Sequence, residues 1–290
     1  MDNTSINIYQ VEEKKGTDLM ILGVDLGNYY TKSSKGISFL SKVSFNGGIE
    51  NKDFVTVDNK KIYLGEGEFD TEYRKAYRSN LIYLLQGAIE RSTADKNNKV
   101  VVGLPLSQFK EDKDYLINRI MQSRLVLDVE VVPEGVMVVP NNYEGILIDI
   151  GGRTTDICLI VIEGNKRRIK QAISLPLGIQ NLENDFINSL NSMYGLDLKQ
   201  EDSNRIITKG LFIYGERKKV NMDSFKDFVE NIVRRVQVDY SLKTNNVVLV
   251  GGGAEKLFTP FKNRIPQAYL VKEPFLANAL AYEKYGREVF

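Results

Sequence analysis

The chain has 290 residues, of which 42% are hydrophobic, and this is enough to bury one large core or the cores of two modest domains. Its 39 lysines and arginines nearly balance its 38 aspartates and glutamates, and no long basic run indicates direct nucleic-acid binding. Histidine is absent, which excludes Ser–His and Cys–His nucleophiles and any histidine metal site.

Cysteine content and the N-terminal segment indicate a cytoplasmic protein. Cys158 is the single cysteine and lies in an apolar run, so we expect a buried, unreactive thiol and a reducing compartment. The sequence has neither an apolar run of transmembrane length nor a signal peptide. The polar residues 1–17 are expected to form a flexible N-terminal extension.

The first distinctive element is a predicted strand over residues 19–24 that ends in Asp25 and is followed by Gly27. A carboxylate at the end of a buried strand is costly unless it holds a cation or hydrogen-bond donors. Glycine leaves backbone N–H groups free to close around an anion. The combination predicts a site for Mg²⁺ and nucleotide phosphates.

Short elements then alternate up to Pro133-Glu134. Runs at 37–39, 54–57 and 61–64 predict a small β-meander, and helical spacing of apolar residues predicts a helix over 72–91. A strand over 97–102 leads into the turn Gly103-Leu-Pro105, after which Ser107 could cap a helix running through 114–121. A further strand is predicted over 125–132.

A second turn repeats the features of the first. The strand over 146–150 contains Asp149 and is followed by Gly151-Gly152, and a second apolar strand begins at residue 155. Residues 166–168 are basic and are predicted to be a hairpin tip in solvent. Two helices follow, one ending near Gly195 and one beginning at residue 221, with only about twenty-eight residues between them.

A third glycine turn, Gly251-Gly252-Gly253, follows the predicted strand over 246–250. A dinucleotide-binding fingerprint would lie early in a βαβ unit and would have glycine or alanine at the position of Lys256, so the late position of this turn and its lysine count against one. No P-loop motif occurs either, so that class of nucleotide site is excluded. A last helix is predicted within 273–282, with Pro274 at its start.

Two Asp-x-Gly hairpins followed by a late Gly-Gly-Gly turn resemble the actin, sugar-kinase and heat-shock-chaperone ATPase superfamily across almost the whole chain. The resemblance implies an α/β, actin-like fold of two duplicated ribonuclease-H-like domains with a nucleotide in the cleft. The second small subdomain would be reduced or absent, given the short connection between the two helices. Domain I would comprise 18–144 plus 273–290, with a small inserted subdomain at about 35–95, and domain II would comprise 145–272.

The same resemblance implies roles for individual residues. Asp25 and Asp149 would hold Mg²⁺, with Asp149 also catalytic, and Glu134 would orient the attacking water, because hydrolysis needs an acceptor for the water's proton. The implied cofactor is ATP or GTP with Mg²⁺. Its contacts would come from the three turns, that is from Gly27, Asn28, Thr31 and Lys32, from Gly151, Gly152, Arg153 and Thr154, and from Gly251, Gly252, Gly253 and Glu255. Weaker candidates beside the purine are Lys209, Glu216 and Arg217.

Within the superfamily the chain looks most like the bacterial actin-like ATPases of the ParM type, which form filaments that segregate plasmids. Its length, the pattern Gly-x-Asp-x-Gly…Thr-Lys and the Gly-Leu-Pro-Leu segment before Pro-Glu carry that likeness. We therefore expect a head-to-tail filament of this chain with itself and a separate DNA-binding adaptor. No direct contact with nucleic acid or membrane is expected.

Two other functions remain open at this stage. The first is a small-molecule kinase of the same fold, which would need an acceptor pocket with its own acidic base beside the terminal phosphate. The second is a nucleotide-binding scaffold in cell-division or pilus assembly, in which hydrolysis is vestigial.

Overall fold

The computed structural model describes residues 19–48, 53–164 and 166–290, so the extension expected at 1–17 lies outside the described residues. The elements of the first part of the chain are, in order, β1 (Met20–Leu26), β2 (Tyr30–Ser33), β3 (Ser38–Leu40), β4 (Lys42–Ser44), β5 (Phe54–Val57), β6 (Lys60–Leu64), β7 (Glu68–Phe69), α1 (Leu81–Ser92), β8 (Asn98–Leu104), α2 (Leu106–Gln122) and β9 (Asp128–Pro133). Short 3-10 turns lie at Lys75–Tyr77 and Val136–Val138.

The second part of the chain repeats this succession of a hairpin, a third strand and helices. Its elements are β10 (Gly145–Ile150), β11 (Thr155–Glu163), β12 (Lys166–Leu175), α3 (Ile179–Tyr194), α4 (Asp202–Lys209), β13 (Leu211–Ile213), β14 (Glu216–Lys218), α5 (Asp223–Asp239), β15 (Val247–Val250), α6 (Gly252–Arg264), β16 (Tyr269–Leu270) and α7 (Ala277–Val289).

The two main sheets have the same topology. Their strand orders are β3-β2-β1-β8-β9 and β12-β11-β10-β15-β16. In each sheet the central strand is antiparallel to the strand that follows it and parallel to its other neighbour. The duplicated α/β architecture expected from the two Asp-x-Gly hairpins is therefore confirmed.

Each sheet has its own hydrophobic core. The first core joins β1 and β8 to α1 and α2, and the second joins β10 and β15 to α3, α5 and α6. The central strands are buried along most of their length, which explains why they are nearly continuous apolar runs rather than alternating ones. Cys158 lies within β11 and is fully buried, as expected for a structural thiol.

The small β-meander is present as a four-stranded sheet of order β5-β6-β4-β7. Residues 37–39 do not join it, because β3 pairs with β2 in the first main sheet. Between α3 and α5 the chain forms only α4 and the β13–β14 hairpin, so the second small subdomain is reduced rather than absent.

The helix predicted over 72–91 is wrong in its first half, because α1 begins only at Leu81. The carboxylate of Asp70 accepts the backbone N–H groups of Glu72 and Ser79, at 2.8 and 2.7 Å. Such side-chain bonds offer the backbone an alternative to helical bonds. Residues 72–80 therefore form a tight connection with a single 3-10 turn.

Three smaller expectations also need correction. Ser107 lies inside the first turn of α2 and does not cap it, since α2 begins directly after Pro105. Pro274 lies in a turn before α7 rather than at its first position. Arg167 is not free in solvent, because its guanidinium donates to the carbonyls of Val136 and Val139, both at 3.1 Å.

Helix α7 returns from the second sheet to the first, where it packs on β1 and β8. The contact is close at Gly23, where a Cβ atom would lie 1.9 Å from the carbonyl oxygen of Ala279. Only glycine allows the helix backbone this near to the strand. Within the described ranges, no helix is long and apolar enough to cross a membrane.

Candidate functional site

A cavity of about 400 Å³ lies between the two main sheets, where the β1–β2 turn, the β10–β11 turn and the start of α6 meet. Such a position, beyond the carboxyl ends of parallel strands, is where α/β sheets bind ligands. The predicted site residues that line it are Asp25, Gly27, Asn28, Lys32, Glu134, Asp149, Gly151, Gly152, Thr154, Gly251, Gly252, Gly253 and Glu255. Residues from four separate parts of the sequence, the three glycine turns and the segment of Glu134, thus converge on one space.

Two of the predicted contacts lie behind the lining. Thr31 is fully buried, and its hydroxyl lies 3.0 Å from that of Ser41, which in turn donates to the Gly27 carbonyl at 2.7 Å. Arg153 points into a neighbouring cavity of about 310 Å³ and donates to the Asp70 carbonyl at 2.6 Å. Thr31 thus supports the first turn through Ser41, and Arg153 links the second turn to Asp70.

The purine candidates Lys209, Glu216 and Arg217 lie at the end of α4 and on β14. None of the three lines the main cavity or the neighbouring one. From this region of the chain, the residues that line the main cavity include Gln200 and Asn204 instead.

The two hairpin turns touch each other across the cavity. A Cβ atom added at Gly152 would lie 2.5 Å from Cβ of Tyr29, so no larger residue fits there without displacement. Gly251 has a φ of +90°, and a Cβ at this position would lie 2.5 Å from Oδ1 of Asp149. Glycine at these two positions lets backbone approach backbone and carboxylate closely.

Asp25 is 4% exposed and is paired with two lysines. The ammonium of Lys32 lies 2.7 Å from Oδ2, and that of Lys75 lies 3.7 Å from Oδ1. Burial alone would raise the pKa of Asp25, but the two lysines outweigh it and hold this pKa below its ordinary value. Lys32 reaches the carboxylate because the β1–β2 register places it directly opposite Asp25.

Asp149 and Asp156 are also buried, but neither has an ion-pair partner among the described residues. Burial raises the pKa of Asp149 to about 6 against the opposing hydrogen bond from Asn278, at 3.0 Å. Burial and the nearby carboxylates of Glu134 and Asp149 raise the pKa of Asp156 to about 7. Within the described structure, Oδ1 of Asp156 has no hydrogen-bond partner.

Sequence reasoning missed Asp156, although the signal was present. The two-glycine turn sets a register in which Asp156 lies directly opposite Asp149. Directly opposed residues share one face of an antiparallel pair, so an aspartate at this position must also face the cavity.

Glu134 follows β9, and its backbone N–H donates to the carbonyl of Leu104 at 2.9 Å. Its carboxylate contacts the ammonium of Lys75. Sequence reasoning missed Lys75 because the apolar spacing predicts an amphipathic helix over residues 72–91. A lysine on the polar face of such a helix needs no special role.

A further cluster, centred on Glu183 of α3, was also missed. Glu183 is 3% exposed and accepts hydrogen bonds from Lys256 at 2.8 Å, Gln200 at 3.2 Å and the Tyr29 hydroxyl at 3.3 Å. The cluster joins the first hairpin turn to α3 and α6. No motif marks it, because its members are distant in sequence.

Two family models cover most of the chain. The model for the N-terminal domain of actin-like proteins matches residues 23–143, and the model for the C-terminal part of archaeal MreB-like actin homologues matches residues 147–263. The chain belongs to the actin-like family. Among curated protein sequences, none matches this one.

Solved structures of actin-like proteins share the fold. A non-polymerisable quadruple mutant of pCBH ParM is 20% identical with a TM-score of 0.73, over 92% of this chain and 99% of that chain. Ta0583, an archaeal actin homologue in complex with ADP, is 18% identical with a TM-score of 0.72, over 93% and 99%. A 15-stranded ParM filament from Clostridium botulinum is 20% identical with a TM-score of 0.69, over 92% and 99%.

Proposed function

We propose that this actin-like protein is an ATPase that polymerises with bound nucleotide and depolymerises after hydrolysis. The observation that carries the proposal is the single cavity in which two touching glycine turns meet Glu134 and three buried aspartates. Backbone N–H groups of the turns bind phosphate oxygens, and Lys32 adds positive charge beside them. The ADP complex of the archaeal homologue Ta0583 supports a nucleotide in this cleft.

A divalent cation fits beside Asp149 and Asp156. Their raised pKa values and the unpartnered Oδ1 of Asp156 indicate negative charge that the described side chains leave uncompensated. The described residues contain no ready-made cage of three or more metal-ligating side chains. Mg²⁺ needs none, because one or two carboxylates and the nucleotide phosphates usually hold it.

This fit shifts the expected metal contacts. Asp149 keeps its predicted role, and Asp156 joins it, whereas Asp25 is already paired with Lys32 and Lys75. Asp25 then fixes the two ammonium groups next to the phosphates. Magnesium, when bound with the nucleotide, neutralises phosphate charge.

Glu134 positions the attacking water and accepts its proton. Its backbone is fixed by the bond to Leu104, and its side chain enters the cavity between the two turns. Hydrolysis of the terminal phosphate requires little else from the protein besides positioning and charge.

Self-association is proposed as a head-to-tail filament, which needs different surfaces on the two ends of the molecule so that the contact does not close into a ring. The ParM filament from Clostridium botulinum and the MamK double helical filament support it as assemblies of the same fold. We propose that such a filament segregates plasmids, to which a separate DNA-binding adaptor attaches it.

Light scattering and pelleting test the function directly. The purified protein is mixed with Mg²⁺ and ATP, GTP, ADP or no nucleotide. We expect scattering to rise with a triphosphate and to decay as phosphate is released, with no rise without nucleotide. Absence of assembly with every nucleotide, across a range of protein concentrations, would overturn the proposal.

A small-molecule kinase is the main rival, because the neighbouring cavity of about 310 Å³ offers room beside the phosphate end. Its lining is rich in amides, which suit a polar acceptor, and includes Asn28, Gln108, Gln180, Asn181 and Asn184. Among the described residues that line it, however, there is no carboxylate to deprotonate an acceptor hydroxyl. A monomer that consumes ATP only with an added acceptor would favour the kinase.

A nucleotide-binding scaffold without hydrolysis is less well supported. Glu134 and Asp149 both face the same cavity, as a hydrolytic site requires. Assembly that never decays, with no phosphate release, would favour the scaffold.

A further inference from the structure

Lys75 is a buried cation that lines the cavity and contacts Glu134 directly. It is 2% exposed, and its ammonium contacts the carboxylate of Glu134 and lies 3.7 Å from Oδ1 of Asp25. A buried ammonium is costly unless it is paired, and two carboxylates pair this one. Lys75 therefore lies between two carboxylates, one of which belongs to the residue proposed to activate water.

Helix α2 fixes the backbone that carries Lys75. Oε1 of Gln108 accepts the backbone N–H of Lys75 at 2.8 Å, and Nε2 of Gln108 donates to the Tyr73 carbonyl at 3.1 Å. The guanidinium of Arg119 donates to the Ala76 carbonyl at 2.6 Å. Each of these bonds comes from a side chain of α2, so the position of Lys75 is built by the fold and does not depend on a free loop.

Lys75 also lies where the main cavity and the neighbouring cavity join. It lines both, together with Asn28 of the first turn and Thr154 of the second. A nucleotide whose phosphates run between the two turns, as the proposed function requires, brings its terminal phosphate to this end, beside Glu134. The terminal phosphate is the part that a triphosphate has and a diphosphate lacks.

We propose that Lys75 is a catalytic residue that recognises the terminal phosphate of a nucleoside triphosphate. Without this phosphate, the ammonium neutralises Glu134 and occupies its Oε1. The phosphate oxygens attract the ammonium, and Glu134 is then free to accept a proton from water. With a diphosphate, the pair between Lys75 and Glu134 stays intact, so the same lysine distinguishes the two nucleotides.

The inference rests on the proposed function and can be tested in a form that does not depend on turnover. Glu134→Gln removes the proposed proton acceptor, so the affinity for ATP itself can be measured by calorimetry without hydrolysis. It also removes the negative charge that would otherwise repel the phosphate once Lys75 is gone. The comparison is between Glu134→Gln alone and Lys75→Met with Glu134→Gln, each titrated with ATP and with ADP in Mg²⁺.

We expect the added Lys75→Met to weaken ATP binding by about 10- to 100-fold, the range for a lost charge-assisted hydrogen bond, and to leave ADP binding unchanged. Retained ADP binding also shows that the variant is folded; if Lys75→Met does not fold, Lys75→Gln replaces it. Lys35→Met is the matched control, because Lys35 is ion-paired with Glu283 at 3.0 Å outside the cavity.

The outcomes separate the two levels of the hypothesis. An unchanged preference for ATP over ADP in the double variant overturns the role of Lys75 and leaves the proposed function standing. Equal loss of ATP and ADP binding also overturns it, because Lys75 would then act on the shared phosphates or on the fold. If Glu134→Gln alone binds neither nucleotide, the nucleotide site itself has been misassigned.

Discussion

Asp156 is buried without an ion-pair partner among the described residues, and this makes the stability of the protein depend on pH. Burial raises the pKa of Asp156 to about 7 from an ordinary value of 3.8, so folding favours the protonated form. The contribution of Asp156 to the free energy of unfolding is complete below its pKa in the unfolded chain, 3.8. It is lost as the pH rises through its pKa in the folded protein, about 7. The nucleotide-free protein should therefore be less stable at pH 8 than at pH 5 on account of this group.

Asp156→Asn should remove this effect. In the absence of nucleotide and metal, we expect it to raise the free energy of unfolding at pH 8 by on the order of 1 to 4 kcal/mol, and by less at pH 5. Urea denaturation at the two pH values measures the difference. Asp185→Asn, on the exposed face of α3, serves as the control and should change neither value. A gain of equal size at both pH values would contradict the assignment.

Glu134 should matter for hydrolysis and not for binding. Glu134→Gln keeps the size of the side chain and removes the proton acceptor, so we expect a loss of phosphate release of about 100-fold or more. ATP affinity, measured by calorimetry, should remain or increase, because a negative charge near the phosphates has been removed. Equal losses of affinity and of phosphate release would show that Glu134 serves the fold or the binding step.

Much of the site was predictable at this scale, because it lies in short motifs. An aspartate at the end of a buried strand, two residues before a glycine, is visible in the sequence. Asp25, Asp149 and the three glycine turns could therefore be predicted, and all of them line one cavity. Lys75 and Glu183 could not be found in this way. Glu134 is 59 residues from Lys75 and Tyr29 is 154 residues from Glu183, and only the fold brings these partners together.

At the scale of elements, the close contact between the two hairpin turns is the feature that we expect to set the position of bound phosphates. Gly152→Ala would place a methyl group 2.5 Å from Cβ of Tyr29, so the turns must separate to accept it. Separated turns would lose hydrogen bonds to the phosphates, each worth about 1 kcal/mol or more, so we expect the affinity for ADP to fall by about 10-fold or more. Calorimetry with ADP measures the loss.

The control for this variant is Gly48→Ala in an exposed loop. The nearest atoms to its new methyl group belong to the flexible carboxylate of Glu66, at 3.0 Å. ADP affinity should not change in this variant. An unchanged affinity in Gly152→Ala as well would mean that the turns do not set the phosphate position.

Elements with a clear period were predicted well, and elements set by side-chain bonds were not. The paired strands and the helix that ends before Gly195 follow from apolar patterns and from a glycine with a φ of +64°. The start of α1 does not, because the bonds from Asp70 override the helical spacing upstream of Leu81.

At the scale of the whole molecule, two contacts join the halves of the chain across the cleft. Arg153 donates to the Asp70 carbonyl at 2.6 Å, and Lys42 lies 3.4 Å from Oε1 of Glu201. Each joins a part of the first half of the chain to the second half. Together with the cluster around Glu183 they link the two halves across the cleft in the described structure.

Removing both contacts should shift the population towards an open form. We expect Lys42→Ala combined with Arg153→Ala to increase the radius of gyration of the nucleotide-free protein in small-angle X-ray scattering, and we expect ADP with Mg²⁺ to reverse part of the increase. Lys170→Ala is the control, because Lys170 pairs with Glu163 inside one hairpin. An unchanged radius would mean that packing between the turns alone keeps the cleft closed.

Asn278 forms a further link across the cleft. It lies on α7, the helix that returns to the first sheet; it donates to Oδ2 of Asp149 and accepts the backbone N–H of Gly135 at 2.9 Å. One side chain therefore joins the two halves at the innermost point of the cleft. A displacement of Asp149 when ligand binds would therefore pass through Asn278 to α7, and from α7 to the strands β1 and β8 on which that helix packs.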